Sequence, residues 1–236
     1  MKINEITLSI IIPVYNEENS VLTILAKLNE LKKLYKIEII VVNDGSTDKS
    51  KKIIENNSKL YDKSIHLSKN NGKGRAVIEG LKECKFEYVL VQDADLEYDP
   101  TDIMQFIDQL NKYSFDVILG SRFIGTQRTV LNFWHMVGNK LITLLFNILN
   151  NTTFSDIYCC YCLFKRKNIN INKLKCSGWG QQAEILTFAI NKKSKIFEIG
   201  INYHGRTYEE GKKIKYYDVF SVIFWIVTTK IRKFFL

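Results

Sequence analysis

The sequence predicts an α/β fold with a mostly parallel central sheet flanked by helices. Three observations point to it. Short apolar runs without alternation, such as residues 8–14 (LSIIIPV) and 37–42 (IEIIVV), read as strands buried on both faces. Segments with apolar residues at helical spacing separate these runs. Each run then ends in polar turn residues, so strands and helices alternate as in a doubly wound sheet.

The elements follow in order. Pro13 closes the first strand, and Val21, Ile24, Leu25, Leu28 and Leu31 give residues 20–36 a helical stripe. The second strand stops at Asn43-Asp44-Gly45-Ser46, a helix begins near Thr47, and a short strand covers 64–67. Residues 72–74 open a helix that runs to about Cys84. The strand at 88–92 runs straight into Asp93-Ala94-Asp95, a helix over 101–112 follows Pro100, and a further strand covers 116–120. The second half is less regular: a long amphipathic helix over 132–149, strands at 161–165 and 195–199, and a helix over 181–190. No internal repeat or Pro/Gly/Ser-rich linker divides the chain, so residues 1–215 read as one domain and 216–236 as a C-terminal amphipathic, interfacial helix.

The 236 residues, 46% hydrophobic and 25% charged, supply enough apolar material for one α/β core. The formal net charge of +9 favours anionic partners: phosphorylated small molecules, an acidic membrane face or nucleic acid. No aromatic–basic recognition module accompanies the charge, and nucleic acid is not an expected partner. Five irregularly spaced cysteines, Cys84, Cys159, Cys160, Cys162 and Cys176, argue against a disulfide framework and fit a reducing, cytoplasmic setting; Cys159, Cys160 and Cys162, in an apolar run with no His beside them, read as small core thiols rather than metal ligands. No signal peptide is expected from the polar start, and the longest uncharged apolar stretch near the end, residues 219–229, is too short to span a bilayer.

In open α/β sheets ligands bind beyond the carboxyl ends of the strands. Four strand ends here carry Tyr15, Asn16 and Glu17; Asn43 and Asp44; Asp93 and Asp95; and Ser121 and Arg122. Asp93 and Asp95, one residue apart after a buried strand, suit a hard cation such as Mg²⁺ or Mn²⁺ that also takes substrate phosphates. Residues 70–75 (NNGKGR) form a basic, Gly-rich loop before a helix, where backbone amides attract phosphate. Neither a Walker A spacing nor a dinucleotide fingerprint occurs.

Taken in order, Ile12-Pro13-Val14-Tyr15-Asn16-Glu17, residues 42–48 (VNDGSTD), Asn71-Gly72-Lys73-Gly74 and Asp93-Ala94-Asp95-Leu96-Glu97 resemble the family-2 glycosyltransferases of the GT-A fold, over about residues 8–215. Residues 120–123 (GSRF), Ser155-Asp156 and 204–214 (HGRTYEEGKKI) bring the resemblance closest to dolichyl- and polyprenyl-phosphate sugar transferases. The resemblance implies that Pro13, Tyr15, Glu17, Asp44, Lys73 and Asp93 serve the nucleotide of a nucleoside-diphosphate sugar. Asp93 and Asp95, completed by Glu97, would hold the cation. Arg122, Arg206 and Lys212 would meet a polyprenyl-phosphate acceptor, with Asp156 near it, so that Asp95, Asp156, Arg122 and Arg206 form the catalytic set.

Tyr158 stands where relatives of this type carry an acid, and Cys162 where they carry a base. The absence of a Q-x-x-R-W signature favours transfer of a single sugar, with inversion. A phosphate acceptor needs cations rather than a base, whereas a sugar hydroxyl would need one, Asp156 or Glu184 being the candidates. Transfer to a sugar hydroxyl in cell-surface polysaccharide assembly, and a non-catalytic nucleotide-sugar-binding protein, are the alternative readings. The apolar residues 219–227 followed by Lys230, Arg232 and Lys233 place the chain peripherally on the cytoplasmic face of a membrane. A homo-oligomer or membrane partner subunit is the other reading of that segment. His66 and His135 read as structural and His204 as non-catalytic. The sequence does not choose among GDP-mannose, UDP-glucose and UDP-N-acetylhexosamine as donor.

Overall fold

A computed structural model describes residues 6–124, 133–206 and 218–235. Its strands are β1 (Thr7–Val14), β2 (Lys36–Asn43), β3 (Lys63–His66), β4 (Tyr88–Val91), β5 (Val117–Ser121), β6 (Cys162–Lys165) and β7 (Ile196–Gly200). Its helices are α1 (Val21–Leu34), α2 (Ser50–Asn56), α3 (Lys73–Glu83), α4 (Ile103–Lys112), α5 (Phe133–Asn150), α6 (Gln181–Ala189) and α7 (Asp218–Phe234).

The seven strands form one sheet in the order β3-β2-β1-β4-β6-β5-β7. All pairings are parallel except those of β6, which runs antiparallel between β4 and β5, with Leu163 opposite both Leu90 and Ile118. β1 is flanked on both sides and its residues Ile10, Ile11, Ile12 and Val14 are fully buried, which is why it reads as a continuous apolar run. Pro13 sits one residue before the strand end rather than at it.

Apolar clusters cover both faces. On one, Val21, Ile24, Leu25 and Leu28 of α1 and Phe106 of α4 pack on Ile10, Ile12, Ile39 and Leu90. On the other, Ala76, Val77 and Leu81 of α3, Phe146 of α5, Leu186 of α6 and Ile226 of α7 pack on Ile11, Val42, Val89 and Phe164. Each fully buried Ile or Leu contributes about 1.5–3 kcal/mol of hydrophobic stabilisation, so the sheet is a stiff base for the loops above it. Gly72, at φ 92°, caps α3 where an added Cβ would meet the Ser177 carbonyl oxygen at 2.5 Å.

The topology gathers more than the four strand ends anticipated. Because β6 is antiparallel, its start lies at the same sheet edge as the ends of β1, β2, β4, β5 and β7. Residues 156–161 therefore join Glu17, Asp44, Asp93 and Arg122, and the segment after β7 brings Tyr203 and Arg206.

Candidate active site at the carboxyl edge of the sheet

Two ion-paired groups stand side by side at this edge. In the first, Arg206 Nη2 lies 3.0 Å from Glu17 Oε1 and 3.0 Å from Asp95 Oδ2, while Nη1 donates to Glu17 Oε2 at 3.2 Å. The Arg206 backbone N–H donates to Glu97 Oε1 at 2.9 Å, and the Tyr203 hydroxyl donates to Glu97 Oε2 at 3.0 Å. Glu17 follows β1, Asp95 and Glu97 follow β4, and Arg206 follows β7, so one guanidinium ties the loops beyond three strand ends together. In the second, Lys73 Nζ lies 2.6 Å from Asp93 Oδ1 and 3.0 Å from Cys160 Sγ.

Four carboxylates (Glu17, Asp93, Asp95 and Glu97) thus face two cations, and all are largely withdrawn from water. The imbalance registers on Asp95. Burial first, then the Asp93 and Glu97 charges, push its carboxyl up to about 7, against the pull of Arg206. Burial works against the charged Lys73 ammonium, but Asp93 and Cys160 outweigh it and hold its pKa above the ordinary lysine value. Burial, then Asp93, push the Cys160 thiol well above its usual range, so it is a neutral neighbour rather than a thiolate.

Backbone conformation sets up this cluster. Leu96, between Asp95 and Glu97, adopts φ 64°. A left-handed turn at a leucine costs about 1–3 kcal/mol and is held here by the surrounding bonds. Asp95 Oδ1 accepts from the Glu97 N–H at 3.1 Å, and the Gln92 side-chain amide donates to the Asp93 and Tyr98 carbonyls, closing the loop from below.

Asp44 is used differently from the remaining acids. Its two oxygens accept the Asn71 and Gly72 N–H groups at 2.9 and 2.8 Å, so it latches the Gly-rich loop to the end of β2. Pro13, on β1, and Tyr15, just beyond its end, are half-buried.

Arg122 and Asp156 form a third unit. Asp156 is fully buried, and Arg122 donates from Nε to Oδ2 at 2.8 Å and from Nη2 to Oδ1 at 2.9 Å. The Arg122 backbone N–H also donates to Oδ2, and its guanidinium lies 5.1 Å over the Tyr203 ring. Glu198, the lone acid of β7, accepts from the Ser155 N–H and hydroxyl and from the Asp156 N–H, fixing the turn that carries Asp156. Lys212 and residues 207–214 of the basic motif lie outside the described residues.

Several sequence expectations are sharpened. Cys162 points into the core among α3 and α6 residues, away from the site, and all five cysteines are free thiols. Cys160, grouped with it as a core thiol, is instead the one beside Lys73. Tyr158 donates to the Trp179 carbonyl at 3.4 Å, and its own carbonyl accepts from Arg122. Glu184 is not available as a base: it accepts the Lys175 and Cys176 N–H groups and pairs with Arg232. Tyr203 and Glu198 were missed, although a single acid in the apolar run 196–200 (IFEIG) is a legible sign of a buried acceptor.

The chemistry of these groups suits a divalent cation. The donors at the centre are all carboxylate oxygens, and their excess charge raises Asp95, which is the chemistry a hard cation satisfies. Among the described residues no three His, Cys, Asp or Glu side chains stand together as a ready-made cage. Asp93 and Asp95 would therefore leave coordination places for phosphate and water, as Mg²⁺ prefers.

The fold has close counterparts among solved structures. Glucosyl-3-phosphoglycerate synthase from Mycobacterium tuberculosis, crystallised with UDP, superposes with a TM-score of 0.70 at 14% identity, covering 96% of this chain and 79% of that one. The same enzyme with Mn²⁺, UDP-glucose and phosphoglyceric acid gives a TM-score of 0.70 at 16% identity, over 96% and 79% of the two chains. At such identities the likeness speaks for the fold, and the class it defines is the GT-A fold. Residues 9–170 match the family model for glycosyl transferase family 2, and the chain belongs to that family.

Two relatives are informative by sequence. The dolichyl-phosphate beta-glucosyltransferase of Saccharomyces cerevisiae is 33% identical over 228 residues, 85% of this chain and 67% of the yeast protein. The undecaprenyl-phosphate 4-deoxy-4-formamido-L-arabinose transferase of Pseudomonas fluorescens is 32% identical over 169 residues, 69% of this chain and 48% of that protein. This chain is accordingly a glycosyltransferase.

Proposed function

We propose that this protein transfers one sugar, with inversion, from a nucleoside-diphosphate sugar to a polyprenyl phosphate at a membrane surface, using Mg²⁺ or Mn²⁺. One observation carries the reading: Glu17, Asp93 and Asp95 meet Lys73 and Arg206 at the carboxyl edge of the sheet. This is a charged, largely desolvated cluster in which a diphosphate and a cation can be exchanged for internal ion pairs. The names of the two sequence relatives support a polyprenyl-phosphate acceptor.

In this reading Glu17, Tyr15, Pro13 and Asp44 border the nucleoside, and Lys73 approaches the diphosphate. Asp93 and Asp95, with Glu97 beside them, are the residues to hold the cation, which when bound would offset charge on the leaving diphosphate. Arg206, once released from Glu17 and Asp95, and Lys212 are the groups to neutralise acceptor phosphate by charge-assisted hydrogen bonds. Arg122 fixes Asp156 through both oxygens and lies over the Tyr203 ring.

A phosphate acceptor is favoured over a sugar hydroxyl because the two acids considered as bases are committed elsewhere. Asp156 is buried with both oxygens bound by Arg122, and Glu184 holds Arg232. A lipid phosphate, already ionised near neutral pH, needs no base.

The test is to incubate the purified protein with radiolabelled UDP- and GDP-sugars, Mg²⁺ or Mn²⁺, and a polyprenyl phosphate. Label should move into the organic phase for one donor. Asp95→Ala should lower the rate about 10²–10³-fold, the cost of removing one group that stabilises transition-state charge. Label that stays in water-soluble glycan, or transfer unaffected by Asp95→Ala, would overturn the reading.

A further inference from the structure

Glu184 is a buried acid that the proposed transfer leaves without a chemical task. It sits on α6, 1% exposed, and its carboxylate holds two parts of the chain at once. On one side Oε2 accepts the Cys176 N–H at 2.8 Å, and the Lys175 N–H donates to Oε1 and Oε2 at 3.1 and 3.0 Å. On the other side Oε1 accepts from Arg232 Nη2 of α7. A carboxylate this far from water is costly to keep unless it is both hydrogen-bonded and paired, and here the two amides and the guanidinium supply both.

The segment that Glu184 holds is the seat of the Gly-rich loop. The Ser177 carbonyl accepts the Arg75 N–H, in the first turn of α3, at 3.2 Å. A Cβ on Gly72 would meet that same carbonyl oxygen, and one on Gly74 would collide with the Cys176 carbonyl oxygen. Backbone therefore rests directly on backbone, with no side chain between to absorb a shift. Lys73 stands between these two glycines and lies 2.6 Å from Asp93. Asp44 holds the loop from one side through the Asn71 and Gly72 amides, and residues 175–177 hold it from the other.

The far end of this link is anchored on α7. Trp225 packs on Gly180, just before α6, where an added Cβ would lie 2.6 Å from its side chain. Lys233 donates to the Thr187 and Ile190 carbonyls at the other end of α6. The Arg232 guanidinium lies 5.7 Å from the Phe188 ring and 5.6 Å from the Trp225 ring. Thus α7 bears on both ends of α6, and Arg232 reaches the interior between them.

We propose that Glu184 and Arg232 are positioning residues for the donor: they clamp residues 175–177 under the start of α3 and so fix Lys73, and the C-terminal helix thereby sets the affinity for the nucleoside diphosphate. This rests on the proposed reading of Lys73 as a diphosphate contact. Without Arg232 the Glu184 charge is left uncompensated in the interior, draws in water and loosens its hold on the Lys175 and Cys176 amides. The shift passes to Gly72 and Gly74 through the backbone contact, and from them to Lys73. The Arg232 bond runs from one nitrogen rather than from a two-pronged fork, so a lysine ammonium can stand in for it.

The experiment compares the wild type with Arg232→Met, Arg232→Lys, Glu184→Gln and Leu110→Ala. Leu110 lies on α4 in the core of the opposite sheet face and touches none of these groups, so its truncation reports general destabilisation. Calorimetry with UDP and GDP in Mn²⁺ reads donor affinity, and hydrogen–deuterium exchange reads the amides of residues 72–76. Arg232→Met keeps the aliphatic stem, and Glu184→Gln keeps the shape while leaving one oxygen for two amides. Both should bind nucleotide about tenfold more weakly, within the usual range of coupling between two sites, with kcat at saturating donor little changed. Both should also exchange faster at 72–76 than the wild type. Arg232→Lys should recover most of the affinity. Leu110→Ala should lower the thermal midpoint yet bind nucleotide as the wild type does. Unchanged exchange at 72–76 in both Arg232→Met and Glu184→Gln overturns the clamp. So does an equal loss of affinity in Leu110→Ala, because the effect would then be general. A wild type that binds neither nucleotide counts against the donor reading alone, since exchange at 72–76 reads the clamp without a ligand.

Discussion

Arg206 and Arg122 look alike in sequence, each an arginine after a strand, but their partners give them opposite roles. Arg122 is committed: its fork fits Asp156, which is fully buried and has no water to turn to. Removing one member of such a pair strands the other, so Arg122→Ala should cost about 3–5 kcal/mol of stability, read as a lower urea midpoint. Arg206 is shared among Glu17, on the loop after β1, and Asp95 and Glu97, on the loop after β4, and more of its side chain meets solvent. Arg206→Ala should therefore abolish most transfer while moving the midpoint less than Arg122→Ala does. Arg206→Lys should not restore transfer, since an ammonium cannot bridge Glu17 and Asp95 as the planar fork does. An equal loss of stability in both alanine variants would contradict the distinction. The residue types of the site were legible in sequence: Glu17, Asp93, Asp95 and Arg122 all sit at apolar-run ends. Who pairs with whom was not, because Arg206 and Glu17 are 189 positions apart and only the strand order brings them together.

At the scale of elements, the apolar runs were easy to read because β1, β2 and β4 are buried on both faces, and no competing pattern disturbs them. The direction of β6 was not legible. A run such as CLFK looks the same in either sense, and its antiparallel insertion between β4 and β5 depends on the long excursion through α5. That insertion is what carries Asp156 and Cys160 to the active edge. The Gly-rich loop shows the opposite case, where a local motif foretold a local geometry. Gly72 has a positive φ and a carbonyl 2.5 Å from where a Cβ would sit, while its N–H is held by Asp44. Gly72→Ala should lower stability by about 1–3 kcal/mol through backbone strain, and should weaken donor binding by moving Lys73. Thermal denaturation and a donor titration on the same sample check both effects; a neutral substitution would mean that the loop is not fixed by this contact.

Over the whole molecule, the sheet separates stability from chemistry. Its core fills both faces with aliphatic side chains, and its carboxyl edge collects acids that two cations do not fully balance. On the proposed reading, the net charge of +9 would draw an anionic donor and an anionic acceptor towards an edge that is itself locally acidic. For the proposed transfer, that edge must take up a nucleoside diphosphate together with a divalent cation. Calorimetric titration of UDP and GDP, with Mn²⁺ and with the metal chelated, tests this most directly. One nucleotide should bind with Mn²⁺, lose at least tenfold in affinity on chelation, and lose as much in Asp95→Ala at an unchanged thermal midpoint. Equal affinity with and without the cation, and in wild type and variant alike, would contradict it.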